Sequence, residues 1–139
     1  MADESRNAAT PNGMGSFLYE LAIGKLLSSD STRRLREIIA GTVTFPNRLK
    51  AGAPRDWTVR RKTGTGPDNG GVRSAVNDVG ILTAPDGENL VTAVFVTRSR
   101  DRLEDDASLM AQIARLASAN KPADMASRMV RPFSFGILE

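Results

Sequence analysis

Two stretches near the start of the chain place apolar residues at helical spacing. Thr10 and Pro11 begin the first, because a threonine hydroxyl can cap a helix and proline suits its first position, and the pattern predicts a helix over residues 11–25. Ser28 offers a cap for a second helix, which is expected to end at Gly41. The residues predicted to face the core are Met14, Phe17, Leu18 and Leu21 in the first helix and Leu35, Ile38 and Ile39 in the second.

Three strand-like stretches follow these helices. They are "WTVRRK" from residue 57, "AVNDVGILTA" from residue 75 and "NLVTAVFVT" from residue 89, of which the last is the most apolar. The sequences "PDNGG" and "PDGEN" separate them and contain the residues that tight reversals need. The pattern therefore predicts a three-stranded antiparallel meander within residues 55–98. A loop over residues 42–54, with at most a short turn of helix around Asn47 to Ala51, is predicted before it.

A last helical stretch covers residues 104–119. Three acidic residues lie at its N-terminal end, where the helix dipole favours negative charge, and its apolar face is predicted to contain Leu109, Met110, Ile113 and Leu116. Residues 1–10 form an irregular leader, and the tail over residues 120–139 contains "FSFGIL", which could add a strand to the sheet. The whole pattern predicts one α+β domain with helices at both ends of the meander.

Composition excludes several kinds of chemistry. The 139 residues suffice for one compact domain, and they include neither cysteine nor histidine. We therefore expect no metal site of the usual kind, no thiol nucleophile, no imidazole base and no cofactor. The net charge of +3 is spread along the chain, which argues against a nucleic-acid partner.

Targeting signals are also absent from the sequence pattern. No apolar run approaches the roughly 18 residues of a membrane span, and the polar start "MADESRNAATPNG" does not have the apolar centre of a secretory signal. Taken as written, the sequence predicts a cytoplasmic protein that does not enter the membrane.

The segment "DWTVRRKTGTG", residues 56–66, carries the candidate chemistry, since Lys-Thr-Gly at a strand edge can hold an anion. It lies within a longer series: "TPNGMGSFLYELAIGKLLSSDSTRRLREIIAG", "NRLKAGAPRDWTVRRKTGTG", "NDVGILTAPDGENLVTAVFVT" and a C-terminal helix. In spacing and in identity, this series resembles the second half of a class A serine β-lactamase. The resemblance extends from about Asn7 to Ala119.

The resemblance implies a role for each residue of this segment. Lys62 would bind the carboxylate of a β-lactam, and Thr63 would donate a hydrogen bond to it. Gly64 would let the substrate approach closely because it has no Cβ, and the backbone N–H of Thr65 would contribute to the oxyanion hole. Arg48 is the candidate for a second carboxylate-binding arginine; the alternative is a solvated loop arginine.

The catalytic parts of the family pattern are missing from this series. The serine and lysine of S-x-x-K, the S-D-N loop and the glutamate for deacylation all lie upstream of the matched region in family members. The S-x-x-K that does occur, Ser118 to Lys121, stands at the wrong end of the chain, and Pro122 prevents a helix from continuing there. We identify no nucleophile and predict that this chain alone is inactive.

Half of such a fold would expose one edge of its sheet. In the family, the third strand pairs with an N-terminal strand, so here its edge is expected to be open and to favour a homo-oligomer. The tail could add to this edge in its own subunit or in a partner, through Phe133, Phe135, Ile137 and Leu138. Alternatively, two chains could pair edge to edge as a symmetric dimer. Full-length relatives are periplasmic or secreted, in contrast to the cytoplasmic location predicted above.

Three functions remain for comparison. The first is the C-terminal portion of a class A β-lactamase-like serine hydrolase, with a β-lactam as ligand. The second is a non-catalytic module derived from that fold, which oligomerises or binds a small carboxylate through Lys62, Thr63 and Arg48. The third, nucleic-acid binding through the arginines, has no interleaved aromatic residues or single basic stripe to support it.

Overall fold

A computed structural model describes residues 8–121 and the backbone of residues 133–136. The helices are α1 (Pro11–Ala22), α2 (Ser29–Ala40), α3 (Leu49–Gly52) and α4 (Leu103–Ala119). The strands are β1 (Thr58–Thr65), β2 (Asp68–Asn69), β3 (Val72–Thr83), β4 (Asn89–Ser99) and β5 (Phe133–Gly136). The predictions for most of the leader and for Ile137 and Leu138 lie outside the described residues.

The sheet has the order β1-β3-β4-β5, with the short β2 paired to β3. β1, β3 and β4 pair antiparallel, so the predicted meander and the α+β fold class are confirmed. β5 pairs parallel with β4 from Thr92↔Phe133 to Phe95↔Gly136. The tail segment therefore lies along the edge of β4 within its own chain.

The first two helices begin at hydroxyl caps. Thr10 accepts a hydrogen bond from Gly13 N at 3.0 Å, and Ser28 accepts one from Ser31 N at 3.3 Å. α1 ends three residues before the predicted residue 25. The cause is Gly24, whose φ of +73° is left-handed and cannot continue a right-handed helix.

Both faces of the sheet are covered. α1 and α2 pack on one face through a cluster of Leu18, Leu21, Ala22, Ile39, Ile81 and Val91. α3 and α4 pack on the other through Leu49, Val76, Leu82, Val94, Met110 and Ala114. The two-sided burial explains why the β4 sequence is almost continuously apolar rather than alternating. β1 remains at the outer edge of the sheet, between the two helical layers.

Three predicted helix faces were wrong in part. Phe17 of α1, which was predicted to face the core, is 43% exposed. Ile38 is 71% exposed, because α2 instead turns Thr32, Leu35 and Ile39 inward and directs Arg36 to the C-terminal carbonyls of α1. Leu116 is 63% exposed, and α4 buries mainly alanines beside Met110. Small side chains on this face permit a very close approach to α3. Within residues 8–121, no helix is long and apolar enough to cross a bilayer.

Candidate active site

The Lys-Thr-Gly residues lie near the end of the edge strand β1. Lys62 is exposed, and its ammonium donates a hydrogen bond to the carbonyl of Thr63. Thr63 is 7% exposed and lies on the opposite side of the strand from Lys62, as side chains alternate along a strand. The Lys62 ammonium nevertheless reaches the Thr63 carbonyl, so the ammonium and the Thr63 hydroxyl lie at adjacent positions of one sheet edge.

The backbone N–H of Thr65 is directed away from the sheet. Gly66 N donates to Ala75 O of β3 at 2.8 Å, and neighbouring residues of an antiparallel edge strand direct their N–H groups alternately inward and outward. The backbone groups of Arg61 and Thr65 point to the same side of the strand, because the two residues are four positions apart. The Arg61 carbonyl accepts a hydrogen bond from the Thr42 hydroxyl outside the sheet at 2.6 Å. The N–H of Thr65 is therefore available at the outer edge, as an oxyanion donor requires.

Arg48 supports this edge from behind. Its side chain is fully buried, and Nη1 donates to the carbonyls of Gly64 at 3.1 Å and Asn77 at 2.9 Å. Nη2 donates to the Thr65 hydroxyl at 2.7 Å, and the Phe45 ring lies 4.0 Å from the guanidinium carbon. Burial lowers the pKa of Arg48. The guanidinium reaches the edge through Thr65, and direct contact with a ligand carboxylate stays a prediction.

A buried ion pair lies beside Arg48. Arg61 Nη1 donates to Asp78 Oδ2 at 3.0 Å, and both side chains are at most 1% exposed. The same oxygen accepts Leu49 N, the first residue of α3, at 3.1 Å. Asp78 thereby anchors the helix that follows Arg48. Burial raises the pKa of Asp78 to about 6, although the Arg61 guanidinium opposes this shift.

The loop between α2 and α3 runs along the outer edge of β1. The Thr44 carbonyl accepts Arg61 Nη2 at 2.5 Å, and the Thr44 hydroxyl lies 2.7 Å from the Thr63 hydroxyl. Within the predicted loop over residues 42–54, sequence reasoning gave a role to Arg48 but none to Thr44. Thr44 was missed because nothing in its local sequence indicates which strand the loop follows.

The charge behind the edge is positive. The guanidiniums of Arg48 and Arg61 are both buried. Among the described residues, the carboxylate of Asp78 is the one carboxylate that forms a hydrogen bond with either of them. Lys62 adds a third positive charge at the front. Charges of one sign at a site with low-dielectric walls attract an oppositely charged ligand, so this edge is suited to an anion.

The S-x-x-K residues of α4 are occupied with structural contacts. The Ser118 hydroxyl donates to the Ala114 carbonyl one helical turn earlier at 2.8 Å. Lys121 pairs with Asp86 and with Glu88, in the turn between β3 and β4. In the part of the chain that the structure describes, no group of three or more acidic residues could hold a metal ion.

An α+β domain that presents Lys-Thr-Gly on an edge strand, with an outward N–H just after it, is typical of serine β-lactamases. A model described as the β-lactamase enzyme family matches residues 1–120. The chain belongs to this family.

Individual relatives agree with the family match. A β-lactamase of Pseudomonas aeruginosa, VEB-1, is 36% identical over 113 residues, which are 80% of this chain and 38% of the relative. A crystal structure of a β-lactamase from Chitinophaga pinensis has a TM-score of 0.76 and 34% identity, covering 80% of this chain and 41% of that one. A class A β-lactamase from Bacteroides cellulosilyticus has a TM-score of 0.74 and 28% identity, covering 80% and 40%.

The predicted class A resemblance is confirmed by these relatives. The chain spans about two fifths of the length of each of the three. The matched portion includes the edge strand and its supporting residues.

Proposed function

We propose that this chain forms the anion-binding and oxyanion side of a β-lactam site in a class A β-lactamase-like serine hydrolase. The outward edge from Lys62 to Thr65, backed by buried positive charge, is the observation that carries the proposal. In it, Lys62 and Thr63 bind the ligand carboxylate, and Thr65 N–H stabilises the oxyanion that forms when a serine attacks the β-lactam carbonyl.

Under this proposal, the chain alone does not hydrolyse β-lactams. The reaction of the family needs a serine that is acylated by the β-lactam and then released by water. Ser118, the serine of the S-x-x-K sequence, has little exposed surface, and its hydroxyl is bonded within α4. Binding groups and an oxyanion donor without a nucleophile leave only weak residual catalysis.

Purified chain is expected to show no nitrocefin hydrolysis above the buffer rate and no added mass after exposure to benzylpenicillin. The measurements are absorbance with time and intact-protein mass spectrometry, with a complete class A β-lactamase as the positive control. Turnover or a covalent adduct that disappears in Ser118→Ala would contradict both the proposed division of roles and the assignment of Ser118 to a structural contact.

Lys62→Ala is expected to weaken binding of benzylpenicillin by about tenfold or more, because a hydrogen-bonded charge at an anion site contributes roughly 1.5–3 kcal/mol. Titration followed by NMR chemical shifts measures this affinity. Lys25→Ala is the matched control, since it removes the same charge from an exposed position between α1 and α2. Equal affinities of the two variants would exclude Lys62 as a ligand.

The alternative is a non-catalytic module that binds a small carboxylate or oligomerises. β5 pairs with β4 from Thr92 to Phe95, which is fewer than half of the 11 residues of β4. Among the described residues, no strand pairs with the rest of this edge, and such an edge is a template for association, so we expect a dimer or larger oligomer. Size-exclusion chromatography with light scattering tests this, and a monomer at high protein concentration would refute it.

A further inference from the structure

The hydroxyls of Thr44 and Thr63 form a hydrogen bond at the edge of β1, with 2.7 Å between the two Oγ1 atoms. Either oxygen can be the donor, because each hydroxyl has one proton and two lone pairs. The direction of this bond decides what Thr63 can offer a ligand. If Thr63 gives its proton to Thr44, it presents only lone pairs, and lone pairs repel a carboxylate.

A bound anion fixes the direction of the bond. A hydrogen bond to an ionised acceptor is roughly twice as strong as one between neutral groups, so the Thr63 proton goes to the carboxylate rather than to Thr44. Thr63 can then still accept a proton from Thr44. Each hydrogen bond in such a chain polarises the next, which strengthens the bond to the anion.

We propose that Thr44 is a positioning residue for anion binding: its hydroxyl donates to Thr63 and so leaves the Thr63 proton for the ligand carboxylate. This inference rests on the proposed function, in which Thr63 binds that carboxylate. Thr44 itself does not contact the ligand, and it acts through the rotation of the Thr63 hydroxyl.

The backbone of the loop is held where this role requires it. The Thr44 carbonyl accepts Arg61 Nη2 at 2.5 Å, and the Thr42 hydroxyl donates to the Arg61 carbonyl at 2.6 Å. Arg61 is in turn fixed by Asp78. The first contact uses the backbone carbonyl of residue 44 and the second uses the side chain of Thr42, so replacing the Thr44 side chain leaves both in place. The exposed position of Thr44 makes the substitution mild for folding.

The test compares Thr44→Val with Thr44→Ser. Valine has nearly the shape of threonine without the hydroxyl, and serine keeps the hydroxyl. Benzylpenicillin is titrated into each variant and followed by NMR chemical shifts. We expect Thr44→Val to weaken binding roughly fivefold, the size of one hydrogen bond, and Thr44→Ser to bind like the unmodified protein. The methyl ester of benzylpenicillin, which has no carboxylate charge, should not distinguish the variants.

A double-mutant cycle with Thr63→Val separates this role from a general structural effect. If Thr44 acts through the Thr63 hydroxyl, Thr44→Val has no further effect on affinity once that hydroxyl is removed. An unchanged or higher affinity of Thr44→Val, or the same loss in the Thr63→Val background, would overturn the inference while the proposed function stands. Absence of binding by the unmodified protein would overturn both.

Discussion

Arg61→Met is expected to lower the free energy of unfolding by about 3–5 kcal/mol at pH 7, because it removes one partner of a buried ion pair and leaves Asp78 without its counterion. Methionine retains much of the side-chain volume, so the loss reflects the charge and its hydrogen bonds rather than a cavity. Arg61 also holds the Thr44 carbonyl, and this contact is lost with it. Urea denaturation followed by circular dichroism measures the change.

An exposed ion pair provides the control. Arg33 and Glu37 pair at 3.1 Å on α2, with both side chains more than 60% exposed, and Arg33→Met should change stability by no more than about 0.5 kcal/mol. Replacing both members of the buried pair with apolar residues, as in Arg61→Met with Asp78→Leu, should recover part of the loss. An Arg61→Met protein as stable as the Arg33→Met protein would show that the pair contributes nothing.

The stability of the protein is expected to depend on pH through the Asp78 carboxylate of the same ion pair. The pKa of Asp78 rises from 3.8 to about 6 on burial, so the folded protein binds more protons than the unfolded one between these pH values. Protonation of Asp78 therefore contributes fully to the stability of the folded protein below about pH 4. This contribution, at most about 3 kcal/mol, is lost as the pH rises through 6. Asp78→Asn should remove this part of the profile, which comparison of the two stability curves from pH 4 to 7 would reveal.

Gly52→Ala is expected to destabilise the protein by about 3 kcal/mol or more. A Cβ built at Gly52 would lie 1.8 Å from the carbonyl oxygen of Ala111 and 2.6 Å from its carbonyl carbon. Both atoms belong to the backbone of α4, so neither a side-chain rotation nor a small shift relieves the overlap, and α3 must separate from α4. The midpoint of thermal unfolding should fall by more than 10 °C if the loss is of this size.

Gly41→Ala is the matched control for this substitution. Gly41 directly follows α2 with a φ of −77°, and a Cβ there would be 3.5 Å from the nearest atom, an ordinary contact. Its stability should therefore change by well under 1 kcal/mol. Similar midpoints for the two variants would contradict the close contact between α3 and α4.

The helix starts were predictable from sequence, whereas the buried helix faces were not fully so. Thr10 and Ser28 set the starts through contacts with residues three positions away, and such local contacts can be read from spacing. The side of α4 that is buried depends on α3, because alanines fit against Gly52 where leucines cannot. Leu116 is apolar and correctly spaced, yet it lies in solvent.

The front of the candidate site was also predictable, because Lys62 to Thr65 are consecutive in one strand and carry a recognisable motif. The buried residues that support the site could not be predicted in this way. Asp78 is 17 positions from Arg61, and the pairing of β1 with β3 brings the two together. It is 29 positions from the Leu49 amide that it binds, and the packing of α3 on the sheet brings these two together. A charge at an inward strand position was the signal that could have indicated Arg61.

The contact of α3 with α4 has a consequence for the order of folding. The meander joins strands that are neighbours along the chain, so its hairpins close short loops at a low entropic cost. α4 must instead find α3 across a separation of about 50 residues, from Gly52 to Leu103, and contacts this distant in sequence slow a folding reaction. Docking of the last helix is thus expected after the meander has formed, and the close fit at Gly52 belongs to the late part of the folding pathway.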